Sequence, residues 1–307
     1  VSIYDTATAA GSSGGGSLTS TKNARQKKLK AKRSSLLPLL PFFAFVGYFL
    51  VFPLVTVSKD AFLDNSGHFT LSNFSQSFHG VYAHGFMLSM RLSLSSALLS
   101  AVIGAALASA IVRVGQRSRK VVVAASSVLA NTGGVPLAFM FIASFGAQGL
   151  VTKALKFVGL DLYAGSFSLF SFMGLLLVYC FFQIPLMVLV FTPALENMRP
   201  EWREASDSLG GSKLDYFRHV SVPLLFPAFL STTLLLFANA FSAYATARAM
   251  TAGTMPLVPL LIGNLVDGNV VANQEHLGHA LAVVMIGVSM VVMSMYLVVL
   301  RLTRSKA

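Results

Sequence analysis

The sequence predicts an all-α polytopic membrane protein of six transmembrane helices, with both termini on the cytoplasmic side. Three observations predict it. Of the 307 residues 55% are hydrophobic and only 11% are charged, against roughly a quarter charged in ordinary soluble domains. Six apolar runs have the length of about 20 residues that crosses a hydrocarbon core. Lysine and arginine gather in alternate loops between those runs, as they do when such loops stay in the cytoplasm.

Taken in order, residues 1–21 are rich in Gly, Ser, Thr and Ala and show no apolar periodicity, which predicts a flexible tail rather than a secretory signal. Residues 22–33 carry seven basic side chains: Lys22, Arg25, Lys27, Lys28, Lys30, Lys32 and Arg33. Such a run reads as an anchor on anionic membrane lipid in preference to a nucleic-acid site. The expected division is a flexible basic tail, 1–33, and a transmembrane domain, 34–307. Spans are expected at 36–57, 86–112, 121–145, 169–191, 224–247 and 280–300. The loop 58–85 is long, aromatic and polar, 113–120 is short and basic, and 248–279 is rich in Gly, Pro and Asn. Of 23 lysines and arginines, 18 lie in the N-terminal segment, the 113–120 loop, the 199–223 stretch and the C-terminal tail. The net charge of +12 is therefore a topology signal and implies no nucleic-acid partner. The single cysteine, Cys180, lies in an apolar run and reads as inert packing.

The most polar internal segment, 199–227, reads as a folded unit set between two spans. Pro200 suits a first helical turn, because the N–H it lacks has no intrahelical use there. Trp202, Ala205 and Leu209 recur at helical spacing as one apolar stripe. Gly210 and Gly211 stop that helix. Ser212 with Asp215 three residues on forms a capping box that starts a second short helix, whose apolar face is Leu214, Phe217 and Val220. Pro223 precedes the next apolar run.

Chemistry-bearing residues are few. No G-x-x-x-x-G-K-[ST] phosphate loop occurs, so ATP-driven transport requires hydrolysis by another chain. Glu275, His276 and His279 cluster, but a metal site needs further ligands and a pocket, and scattered interfacial histidine is the commoner arrangement. No H-E-x-x-H and no triad is apparent, so an intramembrane enzyme is poorly supported. Arg91 lies within the second span and either snorkels to the interface or lines a path; Arg248 ends the fifth and reads as a snorkelling residue. Asn131 with Gly133 and Gly134 breaks the third span, Gln183 and Pro185 interrupt the fourth, and Asn239 and Tyr244 place polar groups along the fifth. These are the candidates for a polar translocation path; hydrogen bonds between packed helices explain them nearly as well.

The 199–223 stretch resembles the coupling loop of permeases of binding-protein-dependent ABC importers. The family pattern is Glu-Ala-Ala, Gly six residues after the Glu, and a closing apolar residue with Pro. Glu204, Ala205 and Ser206 stand for the triplet, Gly210 for the Gly and Val222-Pro223 for the ending, with Ser206 a departure from Ala. The resemblance runs from about residue 36 to residue 304 and implies a type I importer permease fold whose cytoplasmic loop, 196–223, docks on an ATPase. Trp202, Glu204, Ala205, Ser206, Leu209, Gly210, Phe217 and Pro223 are the coupling residues it implies. It further implies an ABC ATPase dimer that binds ATP and Mg, a second homologous permease and an extracytoplasmic solute-binding protein, with no cofactor in this chain. More narrowly, 131–139 (NTGGVPLAF), 182–195 and 237–253 resemble the branch for spermidine and putrescine uptake, although the spans hold almost no acid to meet a polyamine. A self-contained channel or secondary transporter is the alternative, and a receptor or scaffold a third.

Overall fold

A computed structural model describes residues 40–165, 167–267 and 274–304. The basic run 22–33, the start of the first expected span and Lys306 lie outside the described residues. The described residues divide into two compact units, with the boundary between Thr56 and Val57.

In the first, α1 (Leu40–Val46) passes through a π turn at Gly47–Val51 into α2 (Phe52–Asp60), which crosses the boundary between the units. A second π turn, Phe217–Ser221, precedes Pro223 as the first precedes Pro53. Proline lacks the N–H that would close an ordinary turn and its ring crowds the carbonyl four residues back, so the helix widens just ahead of it. The Val222 N–H accordingly donates to the Phe217 carbonyl five residues back.

The second unit is all helix apart from loops and one isolated β-bridge, Leu63 with Phe69, among the described residues. Its elements are α3 (Ser72–Ser77), α4 (Gly80–Val112), α5 (Gln116–Asn131), α6 (Gly134–Phe145), α7 (Leu150–Phe157), α8 (Phe172–Glu196), α9 (Pro200–Ser208), α10 (Lys213–Tyr216), α11 (Val222–Phe241), α12 (Ala245–Thr251), α13 (Val258–Val266) and α14 (Glu275–Arg304). Six helical stretches are long and apolar enough to cross a membrane: Pro41–Asp60, Gly80–Val112, Gly134–Phe157, Phe172–Glu196, Lys213–Phe241 and Glu275–Arg301.

Three expectations are corrected. The third span, expected over 121–145, is displaced: the chain breaks at Thr132 and Gly133, where the sequence placed the break, Gly134 takes a left-handed φ of +77°, and the stretch long and apolar enough to cross is Gly134–Phe157, with α5 ahead of it. The fifth stops at Phe241, so Arg248 sits on the separate short helix α12, where its Nη1 donates to Asn264 Oδ1 at 2.5 Å. The second and sixth begin earlier than expected, at Gly80 and Glu275.

The centre of this unit is α4 against α8, with α11 packed on both and α14 on α11. Small residues on α4 make the approach possible: Ser93, Ser96, Ala97, Ser100, Ala101 and Gly104 are all buried. A Cβ on Gly104 would stand 2.6 Å from Met187 Cβ and 3.0 Å from the Ile184 carbonyl oxygen, so the two helices touch there backbone to side chain. Polar ties fix the periphery. The Gly134 N–H donates to Thr246 Oγ1 at 2.9 Å, joining α6 to α12, and the Val258 N–H donates to Ser89 Oγ at 2.9 Å. His276 Nδ1 meets the Asp60 carbonyl oxygen at 2.9 Å, and Asn73 Nδ2 donates to the Leu63 carbonyl at 2.9 Å.

Candidate functional site

The 199–223 segment folds as its local chemistry requires. Arg199 is extended and Pro200 opens α9. At the far end Gly210 takes a φ of +78°. The Gly210 N–H then donates to the Asp207 carbonyl at 3.1 Å, and the Gly211 N–H to the Ser206 carbonyl at 2.9 Å. That bond pair is a Schellman motif, which satisfies carbonyls the helix end would leave open. Two residues later the Asp215 N–H donates to Ser212 Oγ at 3.2 Å while the Ser212 N–H donates to Asp215 Oδ2 at 3.0 Å. The capping box is complete, and α10 starts from it. Both ends of the turn between the helices are thereby locked, and α10 runs through the π turn into α11.

A concavity of about 720 Å³ forms where α9 folds back on the start of α11. Trp202, Ala205, Ser206 and Leu209 line one wall, and His219, Val220 and Pro223 contribute the other. Leu209 is 89% exposed and Leu214 71% exposed, so this end of the segment offers apolar surface with nothing of its own chain over it. Five of the eight residues singled out for coupling thus meet in one place. Glu204 is exposed on α9 outside the concavity, and Gly210 serves the turn. Phe217 is not brought to it: it borders a different groove, beside Ala105 and Phe226. His219 was not singled out by sequence; the apolar stripe that drew attention to Trp202 and Leu209 carries no signal for a polar residue in the opposite wall.

The five path candidates separate. Asn239 and Tyr244 line one cavity of about 720 Å³ between α11, α13 and α14, together with Ser242, Met285 and Ser289. Gln183 is fully buried, its Nε2 donating to Ser96 Oγ at 3.0 Å across the α4–α8 seam. Its Oε1 has no partner among the described residues. The bond to Ser96 is of the kind packed helices make, the second of the two explanations open at the level of sequence. Asn131 is exposed at the end of α5 and returns its Nδ2 to the Ser127 carbonyl at 2.8 Å. Arg91 is exposed on α4. Ser289 was not singled out by sequence; it is one of three hydroxyls in the apolar run 280–300, with Ser294 and Tyr296, and nothing in the run sets it apart.

The loop 113–120 and the end of α8 are joined by Arg119 Nη1 and Glu196 Oε1, 3.2 Å apart. The pair draws that basic loop to the root of the 199–223 segment. On the opposite side of the spans, Asp64 holds the 64–68 loop, accepting from the Ser66 and His68 N–H groups at 2.9 Å each. The His68 N–H, and then that of Ser66, hold its carboxyl below the usual range for aspartate.

Residues 100–305, which include the whole coupling segment, match the family described as binding-protein-dependent transport system inner membrane component. The chain belongs to this family. It is 26% identical over 186 residues to the probable sulfate transport system permease protein cysT of Helicosporidium sp. subsp. Simulium jonesii, covering 59% of this chain and 65% of that one. It is 27% identical over 158 residues to the thiamine transport system permease protein ThiP of Escherichia coli K12, covering 52% of this chain and 29% of that one. The chain therefore spans less than two thirds of the length of these relatives. A bacterial ABC transporter involved in import of the acidic polysaccharide alginate superposes with a TM-score of 0.68 at 17% identity, over 92% of this chain and 99% of that chain. A second structure of an alginate ABC transporter, in complex with a pentasaccharide-bound periplasmic protein, gives a TM-score of 0.70 at 17% identity, over 88% of this chain and 94% of that chain. The fold is that of a type I ABC importer permease, and the family and the six apolar helical stretches place the chain in the membrane as a multi-pass protein.

Proposed function

We propose that this chain is the permease subunit of an ATP-driven importer, a non-catalytic half of a pore that couples to a separate ATPase through the 196–223 loop. The observation that carries this reading is the locked 199–223 segment with its uncovered apolar concavity. A loop that transmits force must not bend, and the Schellman turn and capping box remove its two soft points. Closure of an ABC ATPase dimer around ATP and Mg would push α9, and the push passes through α10 and the π turn into α11, whose far end carries Asn239, with Tyr244 in the turn that follows. The chemistry of hydrolysis belongs to the ATPase, since this sequence has no phosphate loop.

The orientation that fits is N-in and C-in, supported by the distribution of cations and by the Arg119–Glu196 pair that gathers two basic loops at one end. The tail 1–33 then lies on the cytoplasmic face against membrane lipid, followed by the permease domain, 34–307. A second homologous permease closes the other half of the pore, and an extracytoplasmic solute-binding protein delivers substrate. The substrate is a small polar solute. Asn239, Ser242, Tyr244 and Ser289 give the cavity neutral hydrogen-bonding groups and no carboxylate, so a polyamine finds no counter-charge among these residues. The sulfate and thiamine relatives likewise give the polyamine reading no support.

The test is uptake in cells that carry the whole transporter. Gly210→Val puts a β-branched residue at φ +78°, and Glu204→Lys reverses the exposed charge of α9. Both are expected to abolish uptake while membrane insertion stays normal; normal uptake by both variants would sink the proposal.

A further inference from the structure

Away from the coupling concavity, a groove of about 360 Å³ runs between α4, α8 and the start of α11. Its walls are Ala105 and Ala106 of α4, Phe191 of α8, and Phe217, Val222 and Phe226. Phe226 is 55% exposed and Phe217 57%, so rings stand open on its rim. Ser109 also borders it, but its hydroxyl donates to the Ala105 carbonyl at 2.8 Å within its own helix. Ala105, Ala106, Phe191 and Phe226 belong to stretches long and apolar enough to cross a membrane, and Phe217 and Val222 to the adjoining end of the 196–223 loop, which sets the groove at the edge of the spans, within reach of acyl chains. An unfilled groove of this kind forfeits dispersion contacts along its whole lining.

The end of the groove is marked by charge. Arg113 follows Ser109 by one turn at the close of α4. Lys213 precedes Phe217, and Arg218 precedes Val222, by four residues each, which sets them on the neighbouring turn. All three are exposed, and none has an ion pair among the described residues. The acid nearest in sequence, Asp215, is held by Ser212 in the capping box. An apolar trough at the edge of the spans that ends in three unpaired cations is complementary to one molecule of the bilayer. We infer that this groove binds an anionic phospholipid, with an acyl chain against Ala105, Ala106 and Phe226 and the phosphate headgroup on Arg113, Lys213 and Arg218. The site is separate from the Trp202–Leu209 concavity and does not depend on which partner docks there.

Native mass spectrometry of the intact transporter, titrated with phosphatidylglycerol and with phosphatidylcholine of identical chains, tests it. Phosphatidylglycerol is expected to be retained in preference, and Arg113→Gln and Arg218→Gln are each expected to weaken it about fivefold while leaving phosphatidylcholine unchanged. Ala106→Phe, which fills the groove, is expected to remove both lipids. A benzophenone amino acid at position 226 keeps the test independent of how that variant folds, because it reports the occupant directly; lipid adducts are expected. Equal retention of the two lipids, unchanged phosphatidylglycerol binding in the Arg113→Gln/Arg218→Gln double variant, or adducts to a protein chain in place of lipid would overturn the inference.

Discussion

Leu209→Ala separates docking from folding. The Leu209 side chain is 89% exposed, at the mouth of the α9 concavity, so it contributes almost nothing to the packing of its own chain. If an ATPase subunit covers it, docking removes nearly the whole side chain from water. The change to Ala deletes three carbons, and at about 0.8 kcal/mol per buried CH₂ the loss is about 2 kcal/mol. That corresponds to roughly thirtyfold weaker docking. The assay is titration of the purified ATPase onto membranes or nanodiscs bearing the permease, with thermal unfolding of the permease measured alongside. Docking should weaken by that order while the unfolding temperature stays where it was. An unchanged docking affinity would refute the reasoning, and so would a lowered unfolding temperature, because it would place Leu209 inside the fold.

Gly104→Val forces a branched side chain against Met187 Cβ, where even a bare Cβ would stand at 2.6 Å, and should lower stability by about 1–3 kcal/mol; detergent unfolding of the variant against Ala105→Val, one residue round the helix, reads it. Asn239→Cys and Tyr244→Cys should react with a membrane-impermeant maleimide, and Gln183→Cys should not, since Gln183 is fully buried; native Cys180, also buried, supplies no background, and equal labelling at 183 and 239 would contradict the assignment of the cavity. The Asp64 carboxyl is held below its usual range by the His68 and Ser66 N–H groups, so its hold on the 64–68 loop is complete above the ordinary aspartate pKa and is lost as pH falls through the lowered folded value. Hydrogen exchange of the Ser66 and His68 amides should therefore lose protection on acidification below that value, and Asp64→Asn should remove the pH dependence.

The local devices of the coupling segment were legible because each is a short-range rule. Pro200 opens a helix, Gly210 closes it and Ser212 with Asp215 starts the next, whatever surrounds them. The path candidates were not legible to the same degree. Asn131, Gln183 and Asn239 look alike in sequence, each a polar residue interrupting an apolar run. Their fates differ because Asn131 turns back on its own helix, Gln183 finds Ser96 across the α4–α8 seam and Asn239 faces the α14 cavity. Phe217 shows the same at closer range: it borders the groove beside Ala105 and Phe226, while Val220, three residues on, borders the concavity of Trp202.

By itself, then, the sequence determined the number of spans, the all-helical class, the signal for orientation and the shape of the coupling turn. Apolar length, charge bias and capping chemistry act over a few residues or along one helix, and water and bilayer impose them without reference to neighbours. Only the tertiary structure decided which polar groups line a cavity and which are sealed between helices, and that Phe217 and Trp202 line different concavities. Within a bilayer the hydrophobic effect does not rank one helix face above another, so the choice falls to close packing of small residues such as Gly104 and to hydrogen bonds between helices, which depend on partners distant in the chain.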